Sequence, residues 1–160
     1  MTPIPKNNVP TKTFQQLQAL GVRDASSYLE SLKDILSKTE VTLESHDSPV
    51  RNLTLNEEIN FLITDLLRVV LLANQRLIVI GNGGSAAIAI HTLADYANAG
   101  GFKTVDLFSP SLLTCMANDY GYENVFSKPI EILANSDDML IAISSSGNSL
   151  NILNACESAL

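Results

Sequence analysis

Apolar side chains recur at helical spacing over the first part of the chain and in short β-branched runs after it. Tyr28, Leu32, Ile35, Leu36, Thr39 and Leu43 share one face of a 3.6-residue period, behind a capping-box pair of Ser27 and Glu30. This predicts a first amphipathic helix. A polar linker over residues 45–52, containing Pro49 and His46, ends at a second capping-box pair, Thr54 and Glu57. Ile59, Leu62, Ile63, Leu66, Leu67 and Val70 form the apolar stripe of a second helix. Two long helices are thus expected before any strand.

From residue 76 the period changes. Residues 76–80 are a β-branched run ending in glycine, and the alanine-rich segment behind it stops at Gly100 and Gly101. Residues 103–108 read as a second strand, which places Asp106 inside it. Pro110 breaks that strand, residues 111–117 start a short helix, and residues 118–121 form a turn. A helical segment over residues 125–133 is weakened by Pro129. Residues 139–143 are an apolar run of strand length, and residues 150–160 return to helical spacing. Strands alternating with helices predict an α/β fold: a parallel sheet flanked by helices in a three-layer, Rossmann-like or flavodoxin-like sandwich. Three strands are few for such a sheet, and its terminal strands are expected to be missing or supplied by another chain. The predicted organisation is a loosely ordered arm over residues 1–18 and a single domain over residues 19–160 that includes the helical pair 19–73.

Composition narrows the function. At 160 residues with 46% hydrophobic side chains, one ordinary core is expected. The formal charge of -7 argues against nucleic acid as a partner. No signal sequence and no apolar stretch of membrane-spanning length is read, so a cytoplasmic location is expected. Cys115 and Cys156 have no metal-site or disulfide spacing.

Two loops carry candidate chemistry. Gly81, Asn82, Gly83, Gly84 and Ser85 form a glycine-rich turn between strand and helix, and such a turn offers backbone N–H groups and a helix dipole to an anion. Ser144, Ser145, Ser146, Gly147, Asn148 and Ser149 repeat that arrangement with hydroxyls. In an open parallel sheet both loops face one crevice outside the strand ends, where they can grip one phosphate. From residue 82 onward the only basic side chains are Lys103 and Lys128, so neutral donors must hold the anion. Ser149 or Asn148 would cap the following helix in any case. Gly81, Gly83 and Ala86 also fit a dinucleotide fingerprint, with Asp106 as a distant candidate for the ribose-binding acid. His91 and Asp95, four apart on one helical face, can form a contact pair, ligate a metal or exchange protons.

The motifs GNGGSAA at residues 81–87, ANDYGYENVF at 117–126 and ISSSGNS at 143–149 resemble the sugar isomerase (SIS) domain family, and within it the phosphoheptose isomerase group. The resemblance covers residues 28–160. It implies interconversion of sedoheptulose 7-phosphate and D-glycero-D-manno-heptose 7-phosphate through an enediol, for bacterial surface-sugar (lipopolysaccharide) synthesis, by homotetramers that often bind zinc. By position it implies substrate contacts from Asn82, Gly83, Gly84, Asn118 and Asp119, and a phosphate cup of Ser144, Ser145, Ser146 and Ser149. His91 would be a zinc ligand. Asp95 stands where the group has a glutamate that serves as metal ligand and base, and Ile88 stands where a polar residue is usual. The group's remaining glutamine and histidine site residues are expected beyond Leu160. A non-catalytic relative that binds a phosphosugar or a protein partner, like the replication-initiator-associating group, is the alternative.

Overall fold

The computed structural model describes residue 19 and residues 24–39, 41–45, 48–66 and 75–160. The expected arm over 1–18, His46, and the end of the second apolar stripe at Leu67 and Val70 lie outside the described residues. The chain divides into two compact units, residues 1–60 and residues 61–160.

In the first unit, α1 spans Ala25–Ser37 and is followed by an antiparallel hairpin of β1, Val41–Ser45, and β2, Ser48–Leu53. This corrects three expectations. The capping box is formed by Asp24 and Ser27 rather than Ser27 and Glu30: Ser27 N donates to Asp24 Oδ1 at 2.8 Å and Asp24 N to Ser27 Oγ at 3.0 Å. The first helix stops at Ser37 instead of running to Leu43. Ser37 Oγ bonds Asp34 O at 2.7 Å and Thr39 Oγ1 bonds Ile35 O at 3.2 Å, so hydroxyls serve the carbonyls of the last turn. Beyond it Val41 and Leu43 fit a period of two as well as a helical one, and β-branched Val41 and Thr42 favour the strand. Residues 48–52, expected as linker, are the second strand; Pro49 falls where the register shifts, a place where its missing N–H is tolerated. A hairpin therefore stands between the two helices. The second helix, α2, spans Leu55–Leu66. Its expected capping box is present, with Thr54 N donating to Glu57 Oε2 at 2.9 Å and Glu57 N to Thr54 Oγ1 at 3.4 Å.

The second unit is built on a three-stranded parallel sheet in the order β4-β3-β5, with β3 at Arg76–Gly81, β4 at Lys103–Val105 and β5 at Met139–Ile143. The helices are α3 (Gly84–Asn98), α4 (Pro110–Tyr120), α5 (Ser127–Leu133) and α6 (Leu150–Ser158), with a 3-10 turn at Tyr122–Asn124. Consecutive residues of β3 are buried on both faces, as its unbroken apolar run requires. Leu77 and Val79 pack with Ala89 and Leu93 of α3 on one side. Ile78 and Ile80 pack on the other with Leu107, Val125, Phe126, Ile130, Ile152 and Ala155. Each buried Leu, Val, Ile or Phe among them contributes about 1.5–3 kcal/mol. The result is the expected three-layer arrangement.

Local differences have local causes. β4 ends at Val105, so Asp106 lies past the strand, its Oδ1 accepting from Phe108 N at 2.7 Å. Asn118 and Asp119 belong to the last turn of α4, which Gly121 ends at φ 83°. Pro129 does not break α5, because the third helical position needs no intrahelical N–H donor.

The strand origins are joined by one ion pair. Asp138, 2% exposed at its side chain, sits 2.8 Å from Arg76 Nη2 and accepts from the backbone N–H groups of Arg76 and Asn135, each at 2.8 Å. Burial raises its pKa, but those two N–H bonds and the guanidinium outweigh it and leave the carboxyl below its ordinary value. A depressed folded-state pKa gives stability that is complete above the unfolded value near 4 and is lost as pH falls through the folded one. Asp138→Ala is expected to cost about 3 kcal/mol or more, by stranding Arg76 and two N–H groups. Asp138→Asn should flatten the loss of stability below about pH 4; chemical denaturation at several pH values checks both.

Candidate functional site

The two loops singled out by sequence leave adjacent strands at the same level. β3 and β5 are parallel neighbours, and their register pairs Gly81 with Ile143, the last residue of each. Residues 82 and 144 therefore start side by side, with strands about 4.8 Å apart. The sheet thus brings both turns to one edge.

The first turn depends on glycine. A Cβ at Gly81 would lie 2.7–2.8 Å from the backbone and Cβ of Ser85, so only glycine lets the chain fold back into α3. Gly83 occupies the N-cap at φ 54° and brings no side chain to the first N–H groups of the helix. Asn82, Gly83, Gly84 and Ser85 line this tip, Gly83 and Gly84 being exposed and Asn82 and Ser85 half-buried.

The second turn is arranged by its own polar groups. Ser144 Oγ accepts from Gly147 N at 3.1 Å, Ser146 Oγ from Asn148 N at 3.3 Å, and Asn148 Nδ2 donates to Ser146 O at 2.9 Å. Ser144 and Ser146 keep their hydroxyl protons for donation outward. Ser149 is the N-cap residue of α6, yet its side chain makes no capping bond, and the Asn148 amide is turned to Ser146 instead. The expected cap is thus absent, and the Ser149 hydroxyl is left for other partners. Ser145 is exposed beside it.

Asn118 and Asp119 lie exposed at the end of α4, with Asn118 Nδ2 donating to Asp119 Oδ1 at 2.8 Å. They stand four and three residues before Tyr122, whose hydroxyl donates to Asn82 Oδ1 at 3.2 Å. The structure thereby draws the end of α4 toward the first turn. His91 and Asp95 face solvent on α3, with Nε2 and Oδ2 3.3 Å apart. Among the described residues no cluster of three or more His, Cys, Asp or Glu is assembled. Two donors on one helical face fit part of a zinc site and leave its other ligands to come from elsewhere.

Sequence reasoning overlooked Asn151 and Asn154. Asn151, 3% exposed on α6, exchanges two amide hydrogen bonds with Asn82, at 2.9 and 2.8 Å. Asn154 Nδ2 bonds Glu123 O at 3.0 Å. The available signal was an amide at i and i+3 on a helix whose other periodic positions are apolar. Asp106, the candidate acid of the dinucleotide reading, follows β4 at its tip rather than lying within the strand. That reading yields instead to the second turn, which a nicotinamide fold does not require, and to the likenesses that follow.

A family model described as SIS domain matches residues 51–160. The phosphoheptose isomerase of Sodalis glossinidius (strain morsitans) is 34% identical over 137 residues, covering 82% of this chain and 69% of that protein. That of Helicobacter pylori (strain P12) is 45% identical over 95 residues, covering 55% and 50%. The structure of phosphoheptose isomerase from Neisseria gonorrhoeae superposes with a TM-score of 0.67 at 30% identity, covering 91% of this chain and 68% of that one. The chain spans between half and about two thirds of the length of these relatives.

The turn geometry predicts a contrast. Gly81→Ala should destabilise by about 1–3 kcal/mol, as overpacking does. Gly84→Ala, where an added Cβ meets nothing within 4 Å, should be near neutral. Thermal unfolding of the two variants checks it.

Proposed function

The chain belongs to the SIS domain family, in its phosphoheptose isomerase group, and from that premise we propose that the tips of β3 and β5 hold the phosphate of sedoheptulose 7-phosphate during its conversion to D-glycero-D-manno-heptose 7-phosphate. The observation that carries this is the level pairing of Gly81 with Ile143, which sets both donor-rich turns beside each other. Gly83, Gly84 and Ser85 offer the start of α3; Ser144, Ser145, Ser146 and Ser149 offer hydroxyls and the start of α6. With Lys103 and Lys128 the only cations from residue 82 onward, neutral groups do the gripping. Asn118 and Asp119 are assigned to the sugar hydroxyls.

The reaction moves one proton between neighbouring carbons and one between their oxygens. A base takes the proton from C1 of the ketose, the electron pair forms the enediol C1–C2 double bond, and the carbonyl oxygen at C2 gains a proton. The base then returns its proton to C2, the C1 hydroxyl loses its own, and an aldehyde is left at C1. We assign the base to Asp95, with His91 beside it at 3.3 Å. Aspartate is one methylene shorter than the glutamate expected there, and a misplacement of about 1 Å can lower the rate by about 10²-fold. A zinc ion on His91 and Asp95 would polarise sugar oxygens when bound.

A homo-oligomer, a tetramer by resemblance, is part of this reading. α1 exposes Tyr28, Leu29, Leu32, Ile35 and Leu36, and α3 exposes Ile88 at 57% and Ile90 at 43%, faces a partner subunit can cover. Among the described residues no helix is long and apolar enough to cross a membrane. The reading places the enzyme in the cytoplasm, supplying surface-sugar synthesis. Asp95 and Ile88 favour a second reading, a relative that binds the phosphosugar without turning it over.

The full chain incubated with sedoheptulose 7-phosphate should release the aldose, and Asp95→Asn should lower kcat by about 10²-fold or more while leaving substrate binding. Binding without product would select the second reading.

A further inference from the structure

Every polar group of the Asn82 side chain but one N–H is engaged, and none of its partners is a neighbour in sequence. Asn82 Nδ2 donates to Asn151 Oδ1 at 2.9 Å, and Asn151 Nδ2 returns the bond to Asn82 Oδ1 at 2.8 Å, across 69 residues. The Tyr122 hydroxyl fills the second lone pair of the same oxygen at 3.2 Å. Asn151 is the second residue of α6 and 3% exposed, so its amide is withdrawn from water and an unmade bond there is costly. α6 is preceded by its N-cap Ser149, the last residue of the second turn. The pair therefore ties the residue that opens the first turn to the helix that closes the second, with the turn after α4 attached through Tyr122.

We propose that Asn151 is a positioning residue of the anion site: its reciprocal amide pair with Asn82 fixes the spacing of the two strand tips, and Tyr122 locks the pair in one orientation. This rests on the reading of those tips as the phosphate site. It also gives Asn82 a different part from direct recognition through its side-chain oxygen, since both lone pairs of that oxygen are occupied. Its backbone and its one remaining N–H stay available to a ligand. A neutral brace suits this place, because a charged one would either repel the anion or compete for it.

The test uses the full chain with Asn151→Ala, Tyr122→Phe and Asn82→Ala, singly and in pairs, reading affinity for inorganic phosphate by calorimetry, KM and kcat with sedoheptulose 7-phosphate, and melting temperature. Asn151→Ala should weaken phosphate about tenfold and raise KM alike, with kcat less affected. Combining it with Asn82→Ala should be no worse than the poorer single variant. Tyr122→Phe removes one hydroxyl from a ring that is 61% exposed, so it folds; it should weaken phosphate roughly threefold and have no effect in the Asn82→Ala background. Additive losses, or unchanged phosphate affinity in folded Tyr122→Phe, overturn the brace, and Tyr122→Phe alone decides should Asn151→Ala not fold. Phosphate binding without turnover overturns the isomerase and leaves the brace to be judged by affinity. No phosphate binding by the unaltered chain overturns both.

Discussion

The parallel pairing of β3 with β5 is the constraint from which the site follows. With Gly81 and Ile143 opposite one another, both strands end at one level and both following turns start there. That level end is secured from the opposite end of the strands. Asp138 sits just before β5 and holds the side chain and backbone of Arg76, the first residue of β3. Between these ends the apolar run of β3 is buried on both faces, so a one-residue slip would exchange Leu77 and Val79 with Ile78 and Ile80 between two differently shaped cores.

The proposed site relies on neutral donors because the chain offers little else near it. Its second unit carries two lysines and eight carboxylates past residue 81, so a phosphate must be met by backbone N–H groups and hydroxyls. Hydrogen bonds from such groups to an anion are charge-assisted but directional, so their value depends on the donors being held in place. The serine turn supplies part of this itself, through the bonds of Ser144 and Ser146 to the backbone N–H groups of Gly147 and Asn148. The glycine turn has no side chain of its own to brace it apart from Asn82, which is anchored on another helix.

The residues proposed for proton transfer stand apart from this frame. His91 and Asp95 occupy the solvent face of α3, three and seven residues after exposed Ile88 on the same helical face. In that reading a carboxylate acting on a sugar carbon gains from exclusion of water, which a subunit covering exposed Ile88 would supply. The proposed reading thus assigns binding to the ends of the strands and chemistry to the outer face of one helix.

The three strands, the helices between them, and the two donor-rich turns were legible from local pattern: β-branched runs, glycine at the strand ends, and helical spacing after them. Such features are written in neighbouring residues. The hairpin at β1 and β2 was not legible, because Leu43 satisfies helical and alternating periods alike and pairing with Arg51 decides between them. Nor was the true extent of β4, or the place of Asn118 and Asp119 in a helix, since ends are set by competing side-chain bonds. The sequence by itself determined which groups could hold an anion. Only the tertiary structure decided that they lie side by side and that Asn151, unremarkable in the chain, joins them, because a hydrogen bond across 69 residues leaves no trace in any local period.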